Sequence, residues 1–130
     1  MREELDDKLC KAFPLLYAER QLSMDKTAMC WGFECGDGWF DILWEASSKL
    51  EPLIKKWVEE NPDEEYHPCA SQIKEKYGTL RFYMNFATEE MYEITEKAET
   101  ESETACEECG SIGKTEGPGW YRTLCEGCKK

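Results

Sequence analysis

Four cysteines near the end of the chain carry its clearest chemistry: Cys106-Glu-Glu-Cys109, fifteen residues, then Cys125-Glu-Gly-Cys128. The spacing C-x2-C-x15-C-x2-C reads as a structural zinc site. Two residues between cysteines let one tight turn present both thiolates to a single ion. Two such turns from opposite ends of a short hairpin complete a tetrahedral shell of four thiolates. Gly110 follows the first pair and Gly127 lies inside the second, where such turns favour a residue tolerant of positive φ. Paired disulfides or free thiols are the competing readings. A shell closed by four thiolates leaves no open position for catalysis, so the spacing predicts bound Zn2+ and no reaction at it.

The stretch Met29-Cys-Trp-Gly-Phe-Glu-Cys-Gly-Asp-Gly-Trp-Phe-Asp41 is the next densest set of unusual residues. Cys30, Cys35, His67 and Cys69 would need long-range assembly to hold a second metal or to act as a thiol enzyme. The expectation is that these cysteines are small, buried apolar residues. His67 is the only histidine, and no orienting partner for it is visible in the acidic loop around it. No phosphate-cradling glycine loop, nucleophile elbow or H-E-x-x-H motif is present. The chain is therefore expected not to be an enzyme.

Three surfaces are candidates for binding a partner. If Tyr77-Gly78 is a two-residue turn, Lys74 lies opposite Arg81, Gln72 opposite Tyr83 and Ile73 opposite Phe82. Like charges directly opposed across strands are destabilising unless something anionic intervenes. A face of Gln72, Lys74, Arg81, Tyr83 and Asn85 would accept a carboxylate or phosphate; the plainer expectation is that carboxylates of the acidic helices neutralise it. Residues 89–103 hold seven acids, Glu93 and Glu96 among them, and one base, Lys97. Such a run is usually a solvated face, and otherwise a negative ridge that meets a partner quickly and salt-sensitively. Trp120 is expected to pack beside the metal or the main domain, whereas an exposed Trp120 would be a partner anchor.

Composition narrows the classes. At 130 residues the chain is one domain of ordinary size, or one with a small appendage. No apolar run approaches the roughly 20 residues that span a bilayer. From the charged opening residues no secretory segment is expected. A cytoplasmic, reduced setting is expected, which favours metal over disulfides. The net charge is −12. Four acids balance Lys114, Arg122, Lys129 and Lys130 in residues 105–130, so the whole surplus lies in residues 1–104. Without a cluster of Lys and Arg, nucleic-acid binding by counterion release is disfavoured. A basic protein partner remains, as does mimicry of a nucleic acid's charge.

The elements that must position these residues read as an α+β domain, residues 1–104, followed by a zinc ribbon, residues 105–130. Residues 2–12 look helical through Leu5, Leu9 and Ala12, and Pro14 opens a second short turn over 15–21. Residues 27–34 alternate, with Met29, Trp31 and Phe33 on one face, which is a strand signature. Asp37 is placed to cap a helix over 39–60 that carries Phe40, Leu43, Ser47, Leu50, Ile54 and Trp57 and that Pro52 must kink or divide. Residues 69–77 and 79–86 form the clearest hairpin. Thr88 can cap a helix to about residue 102 with Met91, Ile94 and Ala98 inward. The sum is a small antiparallel sheet of about three strands flanked by helices.

The stretches over 29–41, 70–83 (Ala-Ser-Gln-Ile-Lys-Glu-Lys-Tyr-Gly-Thr-Leu-Arg-Phe-Tyr) and 119–125 together resemble a family of small phage- and prophage-encoded proteins of unassigned function. The resemblance covers most of the chain, including its cysteine pairs. It implies a shared fold and metal site, and no active site comes with it. A phage setting would place the protein in the cytoplasm of an infected bacterium, binding and modulating a host protein, with inhibition of a host defence system in that class. The alternative is a nucleic-acid-binding zinc-ribbon regulator.

Overall fold

The computed structural model describes residues 1–129; Lys130 lies outside them. In chain order come helix α1 (Glu3–Ala12), a two-residue strand β1 (Phe33–Glu34), helix α2 (Phe40–Glu60), strands β2 (Ala70–Lys76) and β3 (Thr79–Met84), helix α3 (Glu89–Ser102), and strands β4 (Lys114–Glu116) and β5 (Arg122–Leu124). The first three strands form one sheet in the order β1-β2-β3, and β4 with β5 forms a separate ribbon. This is the expected α+β architecture.

The hairpin has the register read from sequence: Ile73 faces Phe82, Lys74 faces Arg81 and Gln72 faces Tyr83. Tyr77 and Gly78 sit at φ 55 and 87, the paired positive values of the tight turns whose twist matches that of the strands. One face is apolar because Ile73, Phe82, Leu80 and Phe33 are all buried against the helices. Along the outer edge of the sheet α3 supplies polar partners. Ser102 Oγ accepts from Leu80 N at 2.9 Å, and Glu99 accepts from Phe82 N at 2.9 Å. An edge strand with its N–H groups taken is closed to further pairing. Thr88 caps α3 as expected, its Oγ1 accepting from Met91 N at 3.3 Å.

Several expectations are corrected. Residues 28–31 form a 3-10 turn instead of a strand. Thr27 Oγ1 accepts from Met29 N at 3.1 Å to start it, and Gly32 at φ 72 ends it. The turn buries Met29 and leaves Trp31 exposed, so the two do not share a face. Only Phe33 and Glu34 remain extended, and they pair with β2 in parallel, which makes the sheet mixed. Pro52 lies inside an uninterrupted α2 and does not divide it. Asp37 does not cap α2: its carboxylate accepts from Arg2 N at 2.7 Å and pairs with the Arg2 guanidinium at 3.0 Å.

The core sits between the sheet and α2, with α1 and the Pro14 turn closing one end. Leu43, Leu50 and Ile54 of α2 are fully buried, as is Ser47, whose hydroxyl shares a 2.6 Å hydrogen bond with Tyr17. Glu51 reaches from α2 to accept from Leu15 N and Leu16 N at 3.0 and 2.8 Å. That satisfies two N–H groups the Pro14 turn would otherwise orphan.

Candidate metal centre

α3 ends at Ser102, and four residues later Cys106 opens the first of two matching turns. Gly110 N donates to Cys106 O at 2.8 Å, and Lys129 N donates to Cys125 O at 3.0 Å. Each C-x2-C is thus folded back by the residue that follows its second cysteine. Gly110 has the positive φ expected of it, 84°, whereas Gly127 is not among the positive-φ glycines. The β4–β5 hairpin brings the turns together: Lys114 faces Leu124 and Glu116 faces Arg122. Glu107 N also donates to Thr123 O at 2.9 Å.

The four sulfurs lie within 4.8 Å of one another, with Cys109 Sγ and Cys125 Sγ at 3.6 Å. Four thiolates about 2.3 Å from a central ion would stand about 3.8 Å apart, so the cluster has the dimensions of a tetrahedral metal site. The donor set fits as well. Burial pushes the Cys106 thiol up, but backbone N–H groups of Cys125, Cys109 and Glu108 aimed at its sulfur outweigh this and hold it below the ordinary value. Hydrogen bonds from Ser111 bring Cys109 down to about 6. Cys128, which hydrogen-bonds Cys125 first of all, is held up. Among the described residues this is the single convergence of three or more His, Cys, Asp or Glu ligand atoms.

The ribbon is seated on the α+β body by residues the sequence did not single out for it. Gly38 N donates to Glu107 O at 2.7 Å, and Gly36 N donates to Glu107 Oε2 at 2.9 Å. Trp39, fully buried, donates its indole N–H to Ala105 O at 2.8 Å. A Cβ on Gly38 would fall 2.1 Å from Cys106 O, and one on Gly36 would fall 2.4 Å from Glu107 O. The Cys35-Gly-Asp-Gly38 turn is therefore a cradle for the first metal knuckle, and its glycines are there for close backbone approach. On the other side, buried Thr123 donates its hydroxyl to Gly78 O of the hairpin turn at 2.7 Å.

The other candidate ligands do not assemble. Cys35 and Cys69 are buried and Cys30 is half-buried. Burial pushes Cys35 to about 12 and, with help from nearby Glu19, Cys69 to about 12. His67 turns its Nδ1 to Pro68 O at 2.9 Å. The Cys35 and Cys69 thiols are kept protonated and suit packing, not nucleophilic chemistry.

The partner-surface residues are dispersed. Lys74, Arg81 and Tyr83 share the outer face of the hairpin, with Lys74 Nζ 5.9 Å from the Tyr83 ring centroid. The expected neutralisation by carboxylates is absent: among the described residues neither Lys74 nor Arg81 forms an ion pair. Asn85 is not free for a ligand, since its amide bonds Cys69 N, Phe86 N and His67 O. Glu93 and Glu96 are exposed on α3. Glu93 lines a groove of about 460 Å³ between α2 and α3. Trp120 is 80% exposed, contrary to the packing expected of it. Of the ribbon's bases, Arg122 pairs with Glu107 and Glu108 at 3.9 and 3.4 Å, and Lys129 and Lys114 both pair with Glu116.

Fold and site together define an α+β protein whose C-terminal ribbon carries a four-cysteine cluster able to hold a metal ion. No family model, curated protein or solved structure matches the chain. Among the described residues no helix is long and apolar enough to cross a membrane.

Proposed function

We propose that this is a non-enzymatic zinc protein that acts by binding a basic segment of another protein. The observation that carries it is the α2–α3 groove. Its floor is apolar (Ala46, Leu53, Ile94, Ala98), and its rim holds Glu45, Glu90, Glu93 and Glu101 against Lys49 and Lys97. Lys49 is already paired with Glu45 at 3.2 Å, which leaves the rim negative. An apolar trough with an acidic edge suits an amphipathic helix flanked by Lys or Arg, laid in as a groove-bound ligand. The resemblance to phage-encoded proteins supports a host protein as the source of that segment, and inhibition of a host defence system as the outcome.

Zinc suits four soft thiolates in tetrahedral array, and a closed shell makes its role structural. Elemental analysis should find one zinc per chain, and a visible absorption of iron–sulfur type would replace zinc with iron. The nucleic-acid reading is weaker because Arg122, Lys114 and Lys129 are tied to acids of the ribbon itself.

The test is calorimetric. A Leu/Lys amphipathic helical peptide should bind with an affinity that falls as salt rises, and Glu93→Lys with Glu101→Lys should abolish it. A duplex oligonucleotide should not bind. Oligonucleotide binding without peptide binding would overturn the proposal in favour of a nucleic-acid regulator.

A further inference from the structure

Where the ribbon meets the hairpin turn, three exposed aromatic side chains and one carboxylate surround a hollow. Tyr77 from the β2–β3 turn, Trp120 and Tyr121 from the ribbon, and Glu75 from β2 line about 220 Å³, with Gly119 completing the wall. The three rings are 69%, 80% and 48% exposed. Their meeting is imposed by the fold, since Thr123 is hydrogen-bonded to Gly78 O and so fixes the ribbon strand against the turn that carries Tyr77.

Glu75 distinguishes this hollow from a merely apolar dimple. It faces Leu80 across the hairpin, on the inner side of the sheet, and is half-buried. One oxygen, Oε2, accepts from Gly78 N at 2.7 Å, which fixes the carboxylate in place. The negative charge thus sits at the base of an aromatic wall. Aromatic faces attract cations through the ring quadrupole, and a carboxylate beside them adds to that field. The chain already uses one of these rings this way: Lys76 Nζ lies 5.6 Å from the Tyr77 centroid.

We infer that the hollow is a receptor for a cationic side chain of a protein partner, arginine before lysine. A guanidinium is planar and weakly hydrated, so it stacks on an indole or phenol at lower desolvation cost than an ammonium and still donates to a carboxylate. Charge complementarity fits the occupant, because a chain of net charge −12 meets a basic segment more readily than an acidic one. The site shares no residue with the α2–α3 groove, so it stands or falls independently of that groove.

The test uses the zinc-loaded full chain and a small probe, the capped peptide Gly-Gly-Arg-Gly-Gly, with its citrulline counterpart as the neutral isostere. Titration is followed by the indole N–H resonance of Trp120 in two-dimensional NMR. The arginine peptide should shift that resonance saturably, and citrulline should bind at least about fivefold more weakly, as loss of a cation–π and charge contact implies. Glu75→Gln should weaken the arginine peptide to a similar degree. Glutamine keeps an oxygen for Gly78 N–H, so the turn is retained while the charge is lost. Trp120→Ala, at an exposed position, should abolish binding, now followed at the Gly78 amide. Glu93→Lys with Glu101→Lys should leave all of this unchanged. Equal response to arginine and citrulline, or an unaltered affinity in Glu75→Gln, would overturn the inference.

Discussion

Replacing Gly38 by alanine tests whether the turn at 36–38 is what seats the metal knuckle. Gly38 has no positive φ, so alanine brings no backbone strain of its own, and the cost is contact alone. Its Cβ would lie 2.1 Å from Cys106 O and 2.6 Å from both Glu107 C and Glu107 O. Non-bonded heavy atoms rest near about 3.5 Å, so the turn or the knuckle must retreat by more than about 1 Å. That retreat breaks the 2.7 Å bond from Gly38 N to Glu107 O and strains those from Gly36 N and Trp39 Nε1 at 2.9 and 2.8 Å. Each bond contributes about 1 kcal/mol net, and overpacking typically costs about 1–3 kcal/mol, so a loss of about 2–4 kcal/mol is expected. Urea unfolding of zinc-loaded protein measures it, and competition with a chelator should show zinc held more weakly. Gly127→Ala is the control, because the nearest atom to its Cβ would be Cys125 Sγ at 3.9 Å. A Gly38→Ala protein within about 0.5 kcal/mol of the parent, or an equally damaging Gly127→Ala, would refute the cradle.

Cys109→Ser should abolish zinc binding in elemental analysis, and hydrogen exchange should show protection lost across 105–129 and in the loop at 36–39 that bonds to it, while the β2–β3 hairpin stays protected. Cys35, Cys69 and Cys10, pushed to about 12 chiefly by burial, should resist iodoacetamide at pH 8 in the native state, since they carry about a thousandfold less thiolate than an ordinary thiol; rapid labelling of Cys35 would reopen a thiol-enzyme role. Because the folded-state value of Cys35 lies above its unfolded value of about 9, the unfolded chain loses that proton first as pH rises. Stability should therefore decline from about pH 9 toward pH 12, by about 1 kcal/mol at pH 10 from Cys35 alone, as read by urea midpoints. Removing the metal with a chelator should abolish the arginine-peptide shift at Trp120 and leave the α2–α3 groove able to bind its basic helix.

What the sequence made legible was whatever depends on short-range geometry. The knuckles follow from two residues between cysteines, and the hairpin register follows from a two-residue turn between patterned strands. Residues 27–34 misled because alternation over so few positions also fits a 3-10 turn, and the deciding contact, Thr27 Oγ1 to Met29 N, is a cap and not a pattern. A strand of two residues has no periodicity to find, so its parallel pairing was invisible. In sequence, Gly36 and Gly38 read only as turn formers. Their use against Glu107, some seventy positions along, could be seen only once the ribbon was in place. A ribbon of some twenty-five residues has little other core, which is why packing is expected of Trp120, yet the ribbon's described interior is Cys106, Glu107 and Thr123, too narrow to enclose an indole.

That narrow interior also explains why the metal should govern more than its own loop. β4 and β5 are three residues each, and their pairing encloses Thr123 but no large apolar side chain. A unit of this size cannot offset the entropy of ordering its backbone by burial alone and needs a staple. The structure provides three attachments: the four-sulfur cluster, the Gly36–Gly38 cradle under Glu107, and the Thr123 hydroxyl on Gly78 O. The last two amount to four hydrogen bonds, from Gly38 N, Gly36 N, Trp39 Nε1 and Thr123 Oγ1, worth about 1 kcal/mol each, whereas a structural metal contributes on the order of ten. Trp120 and Tyr121 lie in the loop between β4 and β5, directly before the return strand that delivers Cys125, so their position relative to Tyr77 and Glu75 depends on what still seats that strand after metal loss. Four such hydrogen bonds cannot hold that geometry against the entropy of some twenty-five residues. The aromatic hollow is thus expected only of the metal-loaded chain, while the α2–α3 groove, built from helices packed on the main core, is expected to outlast metal removal.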